Sequence, residues 1–279
     1  MIKLISDTLS CISAADAKKI GLEYLPQMII FGDKTYRDDY EIDSETFVNK
    51  LLAASELPTT AAPPPAIVEP VFEKIAKKED IAIAISPSEK ISGTYRAYAT
   101  AKKEFPNADI RIIDIQTLGT AQGILVKIAH EMLTKGASAD EIEVRLNELA
   151  GKTRTYFLVD TLEYLYKGGR IGAAKKLMGS VLQMKPILHI QDGEINAKET
   201  QRTQKKAVQR FKEIILSECP PDARSHLNIE HGGILAQATS FADELKKETG
   251  IKEIPVTFLP PAIILHGGPT ILGCSFLVD

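Results

Sequence analysis

The chain has 279 residues, of which 44% are hydrophobic and 25% are charged, and its formal net charge is −3. These proportions are those of a globular protein with a sizeable core, and the length suits two domains of ordinary size. Because the charge is nearly balanced, nothing draws the chain broadly to nucleic acid or to an anionic membrane surface, and small molecules or proteins are the expected partners.

Cysteine and histidine usage argues against two further kinds of site. The cysteines, Cys11, Cys219 and Cys274, lie far apart, and the five histidines show no metal-ligand spacing. We therefore predict no disulfide framework and no metal centre. The N-terminal apolar stretch is too short for a signal peptide, and no run approaches the roughly 18 apolar residues of a membrane-spanning helix. The expected location is cytoplasmic, with no stable membrane insertion.

The first half of the chain alternates short apolar runs with segments of helical periodicity. Ile81–Ser86 and Ile110–Ile115 are near-continuous apolar runs, which is typical of parallel strands buried on both faces. Each is followed by a polar loop and a helix, and this order predicts an α/β layer architecture. The other elements predicted here are a strand at Ile2–Ser6, a helix from Ser13 to Gly21, a hairpin of Leu25–Phe31 and Thr35–Tyr36 with its turn at Gly32-Asp33-Lys34, a helix after Asp43 with Phe47, Leu51 and Leu52 on one face, and a helix from Ser138 to about Gly151.

From about Thr153 onward, hairpins are mixed with helices. Asp192-Gly193 is a strong two-residue hairpin signal between two predicted strands. We therefore predict an N-terminal three-layer α/β domain with a parallel sheet at residues 1–152 and a C-terminal α+β domain at residues 153–279. The predicted strands are Tyr156–Asp160, Pro186–Gln191, Glu194–Thr200, His226–Glu230, Ile254–Phe258 and Phe276–Val278, and the predicted helices are Ala173–Gln183, Lys205–Glu218 and Ala236–Thr249.

Two loops of the first half are candidates for a binding site, because ligands of open α/β sheets lie beyond the carboxyl ends of the strands. Ser92 and Gly93 follow Ile81–Ser86 and offer a hydroxyl and a close backbone approach. Ser92 could equally be a plain helix N-cap. Thr59 and Thr60 precede a proline-rich stretch that forms either a rigid ligand edge or simply the start of a helix.

Two loops of the second half carry a basic side chain beside glycines. His266 follows the apolar segment 262–265, which is predicted to be a strand, and it can donate a hydrogen bond, although a lone histidine is more often structural. Arg170 follows two glycines in a tight turn, and a solvated surface arginine is an equally good interpretation. The chain contains no Gly-x-Ser-x-Gly elbow, no Walker A run and no dinucleotide-binding glycine motif, which argues against serine hydrolases, P-loop NTPases and Rossmann dehydrogenases.

Taken in chain order, these segments resemble the DegV family of bacterial fatty-acid-binding proteins over almost the whole length. Ala61, Ala62 and Gly267 depart from the family pattern, which has Gln-Pro and Thr at those positions, so the head-group contacts follow less directly than the fold does. The segments similar to family motifs are Asp7-Thr8, Thr59-Thr60, Ile91–Tyr95, Thr161–Leu165 with Lys167–Ile171, Lys185–Leu188 with Asp192-Gly193, and His266–Pro269.

The resemblance implies a carrier, not an enzyme, with one long-chain fatty acid lying between two lobes. The fatty-acid carboxylate would be held by Thr60, Ser92 and Gly93, with Thr59 and His266 close to the head group. No catalytic residue, cofactor or metal is implied.

The resemblance also implies a protein partner. The family's carriers present their fatty acid to a separate kinase, which converts the carboxyl group to an acyl phosphate. Arg170 and Arg202 match basic positions that face that kinase or the phosphorylated product.

Two interpretations from other classes stay open. An enzyme acting on a phosphorylated or carboxylated small molecule would need a base near Ser92, and only His266 or Asp114 could serve. A regulatory interaction module, in which lipid is incidental, would bind its partner normally after delipidation. The acyl chain length, the kinase and the oligomeric state are not determined by the sequence.

Overall fold

The computed structural model describes residues 1–177, 184–219 and 226–278. Within these ranges the strands form three separate sheets. In chain order the strands are β1 Ile2–Asp7, β2 Glu23–Leu25, β3 Met28–Phe31, β4 Lys34–Arg37, β5 Thr59–Ala61, β6 Ile81–Ser86, β7 Ile110–Asp114, β8 Thr153–Leu158, β9 Lys185–Gln191, β10 Glu194–Gln201, β11 Asn228–His231, β12 Val256–Phe258 and β13 Leu272–Leu277.

Helices alternate with these strands along most of the chain, and two short 3-10 segments lie at Thr8–Ser10 and Gly172–Leu177. The helices are α1 Ala14–Lys19, α2 Ser44–Ala53, α3 Pro65–Lys77, α4 Thr94–Lys102, α5 Thr120–Thr134, α6 Ala139–Ala150, α7 Glu163–Lys167, α8 Gln204–Glu218, α9 Leu235–Thr249 and α10 Pro261–Gly267.

The first sheet is wholly parallel, with strand order β2-β1-β6-β7. Helices α3 and α4 cover one face, and α5 and α6 cover the other. The apolar run of β6 supplies both layers, because alternate side chains of a strand point to opposite faces. Ile83 and Ile85 pack toward α5 and α6, whereas Ala82 and Ala84 leave room for the rings of Phe72 and Tyr98. The predicted three-layer α/β architecture is confirmed.

The second sheet is mixed, with strand order β10-β9-β8-β13-β11-β12. All neighbours are antiparallel except β11 and β12, which are parallel. The predicted hairpin joins β9 to β10, and both turn residues have positive φ, Asp192 at 52° and Gly193 at 76°, as a type I′ turn requires. Helices α8 and α9 cover one face. Helix α5 and the 3-10 segment Gly172–Leu177 pack against parts of the opposite face.

The third sheet is small and antiparallel, with strand order β4-β3-β5; the hairpin of β3 and β4 was predicted, whereas β5 was not. The prediction of one strand at Leu25–Phe31 is wrong, because β2 pairs with β1 in the parallel sheet and β3 belongs to the small sheet. Pro26 stands between them, and a proline interrupts a strand because it has no N–H to donate. The predicted turn between β3 and β4 is confirmed, with Gly32 at φ 55°.

Three other predicted elements differ from the structure. Leu52 is 66% exposed, since a residue five positions after Phe47 lies about 140° around a helix from it. Segment 262–265 lies inside α10, which begins with Pro261 at a position that favours proline. Of the helix predicted at Ala173–Gln183, residues up to Leu177 form 3-10 turns, and the remainder lies outside the described residues.

The chain passes from α6 of the parallel-sheet layer to β8 of the mixed sheet around residue 152, where the domain boundary is predicted. That these are two folding units stays a prediction. Among the described residues, no helix is both long enough and apolar enough to span a bilayer.

Helix α5 lies directly against the 3-10 segment Thr8–Ser10, and Gly123 makes this close approach possible. A Cβ at residue 123 would overlap the carbonyl oxygen of Ser10. Gly123→Ala should therefore lower the free energy of unfolding by about 1–2 kcal/mol, because overpacking against backbone outweighs the roughly 1 kcal/mol gain in helix propensity. Urea unfolding measures this.

Gly151→Ala is the matched control. Gly151 ends α6 with φ −70°, and a Cβ there would meet nothing within 4 Å. This variant should be unchanged or up to about 1 kcal/mol more stable. Equal stability of the two alanine variants would contradict the proposed close contact.

Candidate ligand-binding site

A cavity lies between the loops of the parallel sheet and the face of the mixed sheet that is opposite α8 and α9. It comprises about 790 Å³ of space not filled by protein atoms, its solvent-facing part included. Because its lining is mostly apolar, the cavity suits an apolar chain better than a bulky polar ligand. The apolar lining residues are Leu9, Ala62, Ile91, Leu118, Phe157, Leu165, Ile190, Ile195, Leu259, Ala262, Ile263 and Ile271.

The structure brings five of the seven site residues singled out from the sequence to this one cavity. They come from four segments far apart in the chain: Thr60, Ser92, Gly93, Arg170 and His266.

The other two predicted site residues lie elsewhere. Thr59 is exposed on β5, where strand alternation turns it away from its neighbour Thr60. Arg202 is exposed between β10 and α8. Gln27, Thr155 and Glu230 also line the cavity, and the sequence did not single them out.

Ser92 is held by a short chain of hydrogen bonds that runs through Thr94 to Gln27. Its Oγ accepts the Thr94 N–H at 3.2 Å and lies 2.9 Å from Thr94 Oγ1. Thr94 Oγ1 accepts a hydrogen bond from Gln27 Nε2 at 3.0 Å. Either hydroxyl can donate in the contact between Ser92 and Thr94, because Thr94 Oγ1 keeps a second lone pair. When Thr94 is the donor, the Ser92 proton is free to be donated to a ligand in the cavity.

The N-cap residue of α4 is Gly93, so Ser92 is not a plain N-cap, although it accepts a helix N–H. The Gly93 N–H has no acceptor among the described residues. A Cβ at residue 93 would lie 3.4 Å from the Ala62 Cβ, so a larger residue would narrow the cavity. The backbone here offers a ligand one further donor.

Thr60 is oriented in a similar way by His266. Its Oγ1 lies 2.9 Å from His266 Nε2. Burial, with Arg170 nearby, lowers the pKa of His266 to about 3, so the ring is neutral at pH 7 and carries one proton. Nδ1 has no partner among the described residues, and an unpaired lone pair costs less there than a buried, unbonded N–H. The proton therefore belongs on Nε2, which donates to Thr60 Oγ1 and leaves the Thr60 proton free.

Arg170 lies beside this pair and is half-buried. Its Nη1 donates to Gly168 O at 2.8 Å and its Nε donates to Ile91 O at 3.3 Å. Burial and the nearby Arg96 lower its pKa, but a guanidinium stays charged at pH 7. Since both acceptors are carbonyls, these contacts do not neutralise the charge. A Cβ at residue 168 would overlap His266 Nδ1, which explains one of the two glycines before Arg170.

A pair of buried acids fixes Gln27 at the cavity. The Gln27 N–H donates to Asp38 Oδ1 at 2.7 Å, and Thr8 Oγ1 donates to the same oxygen at 2.8 Å. Burial raises the pKa of both Asp38 and the neighbouring Asp7 to about 7. Sequence reasoning missed Asp38 because it stands in a run of charged residues that resembles a surface loop, and missed Gln27 because nothing near it marks it as buried.

No group of three or more His, Cys, Asp or Glu residues in the described ranges is arranged to hold a metal ion.

Comparison with known proteins places the whole chain in one family. A family model described as "Uncharacterised protein, DegV family" matches residues 1–279. A DegV domain-containing protein of Halalkalibacterium halodurans is 31% identical over 279 residues, covering 100% of this chain and 99% of the relative.

Two solved structures share this fold closely. DegV from Bacillus subtilis, described as a fatty acid binding protein, has a TM-score of 0.90 at 28% identity. A fatty acid binding DegV family protein from Streptococcus agalactiae has a TM-score of 0.91 at 25% identity. Each comparison covers 100% of this chain and 99% of the other.

The raised pKa of Asp38 predicts a particular pH dependence of stability. Between its ordinary value of 3.8 and about 7, the folded protein binds a proton at Asp38 that the unfolded chain has released. Stability from this group is therefore lost as the pH rises through that window. Asp38→Asn keeps an oxygen for the Gln27 and Thr8 donors and does not titrate, so it should become progressively more stable relative to the wild type from pH 4 to pH 7.

Urea unfolding of both proteins at several pH values tests this. Parallel stability curves would show that Asp38 titrates normally in the folded state.

Proposed function

The chain belongs to the DegV family, and on that premise we propose that it is a non-catalytic carrier that binds one long-chain fatty acid in the cavity. One observation carries the proposal. Ser92 Oγ accepts the Thr94 N–H, and Thr60 Oγ1 lies 2.9 Å from His266 Nε2, which we assign as the donor, so each hydroxyl can donate its own proton to a ligand in one apolar slot. Solved relatives of the same fold are described as fatty-acid-binding proteins.

The head group of a fatty acid fits such an arrangement. A buried carboxylate without donors would be unfavourable by several kcal/mol. The hydroxyls of Ser92 and Thr60 and the N–H of Gly93 supply three donors, and the positive charge of Arg170 lies beside them. Ala62 and Gly267, which depart from the family pattern, also line the cavity and add no polar side chain. The head group is therefore bound by few groups, which favours release to a partner.

The tail supplies most of the affinity in this proposal. Each buried methylene contributes about 0.8 kcal/mol, so ten of them contribute about 8 kcal/mol. A hydrogen bond to a charged group contributes roughly 1.5–3 kcal/mol. The apolar lining therefore decides how tightly a chain is held, whereas the hydroxyls decide which end enters and where it stops.

The alternative of an enzyme receives less support from the geometry. His266 has a pKa of about 3 and contacts Thr60 rather than Ser92, so it would be a poor base at pH 7. Asp114 Oδ1 accepts the Gln116 N–H, and Asp114 is not a lining residue of the cavity. Neither candidate base is poised to activate Ser92. No specific observation favours the regulatory module.

We expect the purified wild type to retain one fatty acid, seen by native mass spectrometry as a discrete added mass. Ser92→Ala and Thr60→Val should each weaken fatty-acid affinity by about tenfold or more, because each removes a donor to a charged group. Titration of the delipidated proteins with a long-chain fatty acid measures the change.

Thr59→Val is the matched control, because it makes the same change on the exposed face of the same strand. It should bind as the wild type does. A wild type that neither retains nor takes up fatty acid would refute the carrier function, and equal losses at Thr59 and Thr60 would refute the assigned carboxylate site.

We further propose that the carrier presents its fatty acid to a kinase, and that Arg170 and Arg202 serve this coupling. Arg170 stands beside the proposed carboxylate site, where its charge could stabilise a phosphorylated head group. Arg202 is exposed, as a residue that contacts a partner protein must be.

Arg202→Ala and Arg170→Ala should therefore retain bound lipid but lower the rate of acyl-phosphate formation by about tenfold. For Arg202 the reason is that charges at an interface mainly affect association, and for Arg170 it is the loss of a positive charge beside the phosphorylated head group. The assay uses loaded protein, ATP and a purified bacterial fatty-acid kinase. Arg145→Ala, on the surface of α6, is the control and should couple normally. Loss of lipid from Arg202→Ala with normal coupling would reverse the assigned roles.

A further inference from the structure

The cavity lining has a second polar region, formed by residues that make no hydrogen bond to the proposed carboxylate site. Glu230 on β11 is only 4% exposed and lines the cavity together with Thr155 of β8. Thr155 Oγ1 lies 2.9 Å from Thr117 Oγ1 and 3.3 Å from Ser275 Oγ, and Ser275 Oγ donates to Glu230 Oε1 at 2.9 Å. This buried network joins the loop before α5 to the mixed sheet.

Only one oxygen of Glu230 takes part in that network. Oε1 accepts the Ser275 hydroxyl, the Thr120 N–H at 2.8 Å and the Thr120 hydroxyl at 2.5 Å. Oε1 thereby caps the first residue of α5, and this is its structural role. Oε2 accepts no hydrogen bond from any described residue.

The backbone is shaped to admit this carboxyl group. A Cβ at residue 273 would lie 2.8 Å from Glu230 Oε2, and a Cβ at residue 119 would lie 3.0 Å from Oε1. Glycine at both positions leaves room for Glu230 between β13 and the start of α5. No described lysine or arginine forms an ion pair with it, and burial raises its pKa.

Three donors are directed at Oε1, so Oε2 is the oxygen left for a ligand. A wholly aliphatic tail would leave Oε2 without a hydrogen-bond partner, which is unfavourable for a buried polar atom. A hydroxyl group can pair with Oε2 in either protonation state of Glu230, because a hydroxyl both donates and accepts.

We propose that Glu230 forms a subsite for a hydroxyl group partway along the ligand chain, so that the cavity accepts a hydroxylated long-chain fatty acid with its hydroxyl at one matching position. The ligand hydroxyl forms a hydrogen bond with Glu230 Oε2 there. This inference rests on the proposed fatty-acid function and adds to it a preference among acyl chains.

The test is a positional scan on the wild-type protein. Octadecanoic acid is compared with 18-carbon acids that carry one hydroxyl at successive positions along the chain, by competition for the delipidated protein. We expect one position to bind within about threefold of octadecanoic acid or tighter, and the others to bind about tenfold more weakly or worse, because a hydroxyl in a dry slot loses its water.

Weakening by a similar factor at every position would overturn the proposal, since a hydrogen-bonding partner at a fixed place must favour one position on the chain. Failure of octadecanoic acid itself to bind would instead refute the carrier function on which the proposal rests. The two failures are therefore distinguishable, and neither depends on a variant that folds.

Variants then assign the preference to Glu230. Glu230→Gln keeps an acceptor for Thr120 and Ser275 and a donor toward the cavity, so it should keep the favoured hydroxyl position. Glu230→Leu should lose the favoured position while still binding octadecanoic acid. Ser275→Ala removes a donor to Oε1 without touching the cavity and should keep the preference. An unchanged preference in Glu230→Leu would overturn the assignment.

Discussion

A carboxylate is stable in a water-free cavity only where the protein directs hydrogen-bond donors at it. Two internal donors orient the hydroxyl groups that can serve this purpose here. Gln27 Nε2 donates a hydrogen bond to Thr94 Oγ1, the Thr94 N–H donates to Ser92 Oγ, and His266 Nε2 donates to Thr60 Oγ1. In each case the last hydroxyl accepts a hydrogen bond from the protein, and its own proton can be donated to a ligand. Without these internal donors, the same hydroxyls could satisfy themselves within the protein and would have nothing for a carboxylate.

Much of the surrounding structure keeps those donors in place at some expense of stability. Asp38 accepts the Gln27 N–H although burial disfavours its charged form. Burial disfavours the charged form of the neighbouring Asp7 as well. Residue 168 is a glycine, and the absence of a side chain there lets the His266 ring approach the backbone. Local arrangements that are unfavourable for folding are common at binding sites, where the positions of a few polar atoms matter more than stability.

The hydrophobic periodicity and the turn residues of the sequence predicted most of the helices and strands that carry the site. The alternating Ile and Ala of Ile81–Ser86 identified a strand buried on both faces, and Asp192-Gly193 identified the hairpin of β9 and β10, because both signals are local. The apolar run at Leu25–Phe31 gave a wrong prediction of one strand, because Pro26 divides the run between two sheets. A run of apolar residues does not show which neighbouring strand it pairs with. The short β5 strand, which turns Thr60 inward and Thr59 outward, gave no local signal.

The sequence by itself determined the α/β class, the parallel sheet, and the family whose motifs include Ser92, Thr60 and His266, because these depend on residue order and spacing. Only the tertiary structure decided which of these groups meet. Thr60 and His266 are 206 residues apart, Gln27 and Thr94 are 67 apart, and Glu230 lies 110 residues from the helix start that it caps. Hydrogen bonds act over about 3 Å. Which member of such a pair donates and which accepts is therefore decided only when folding brings the two residues into contact.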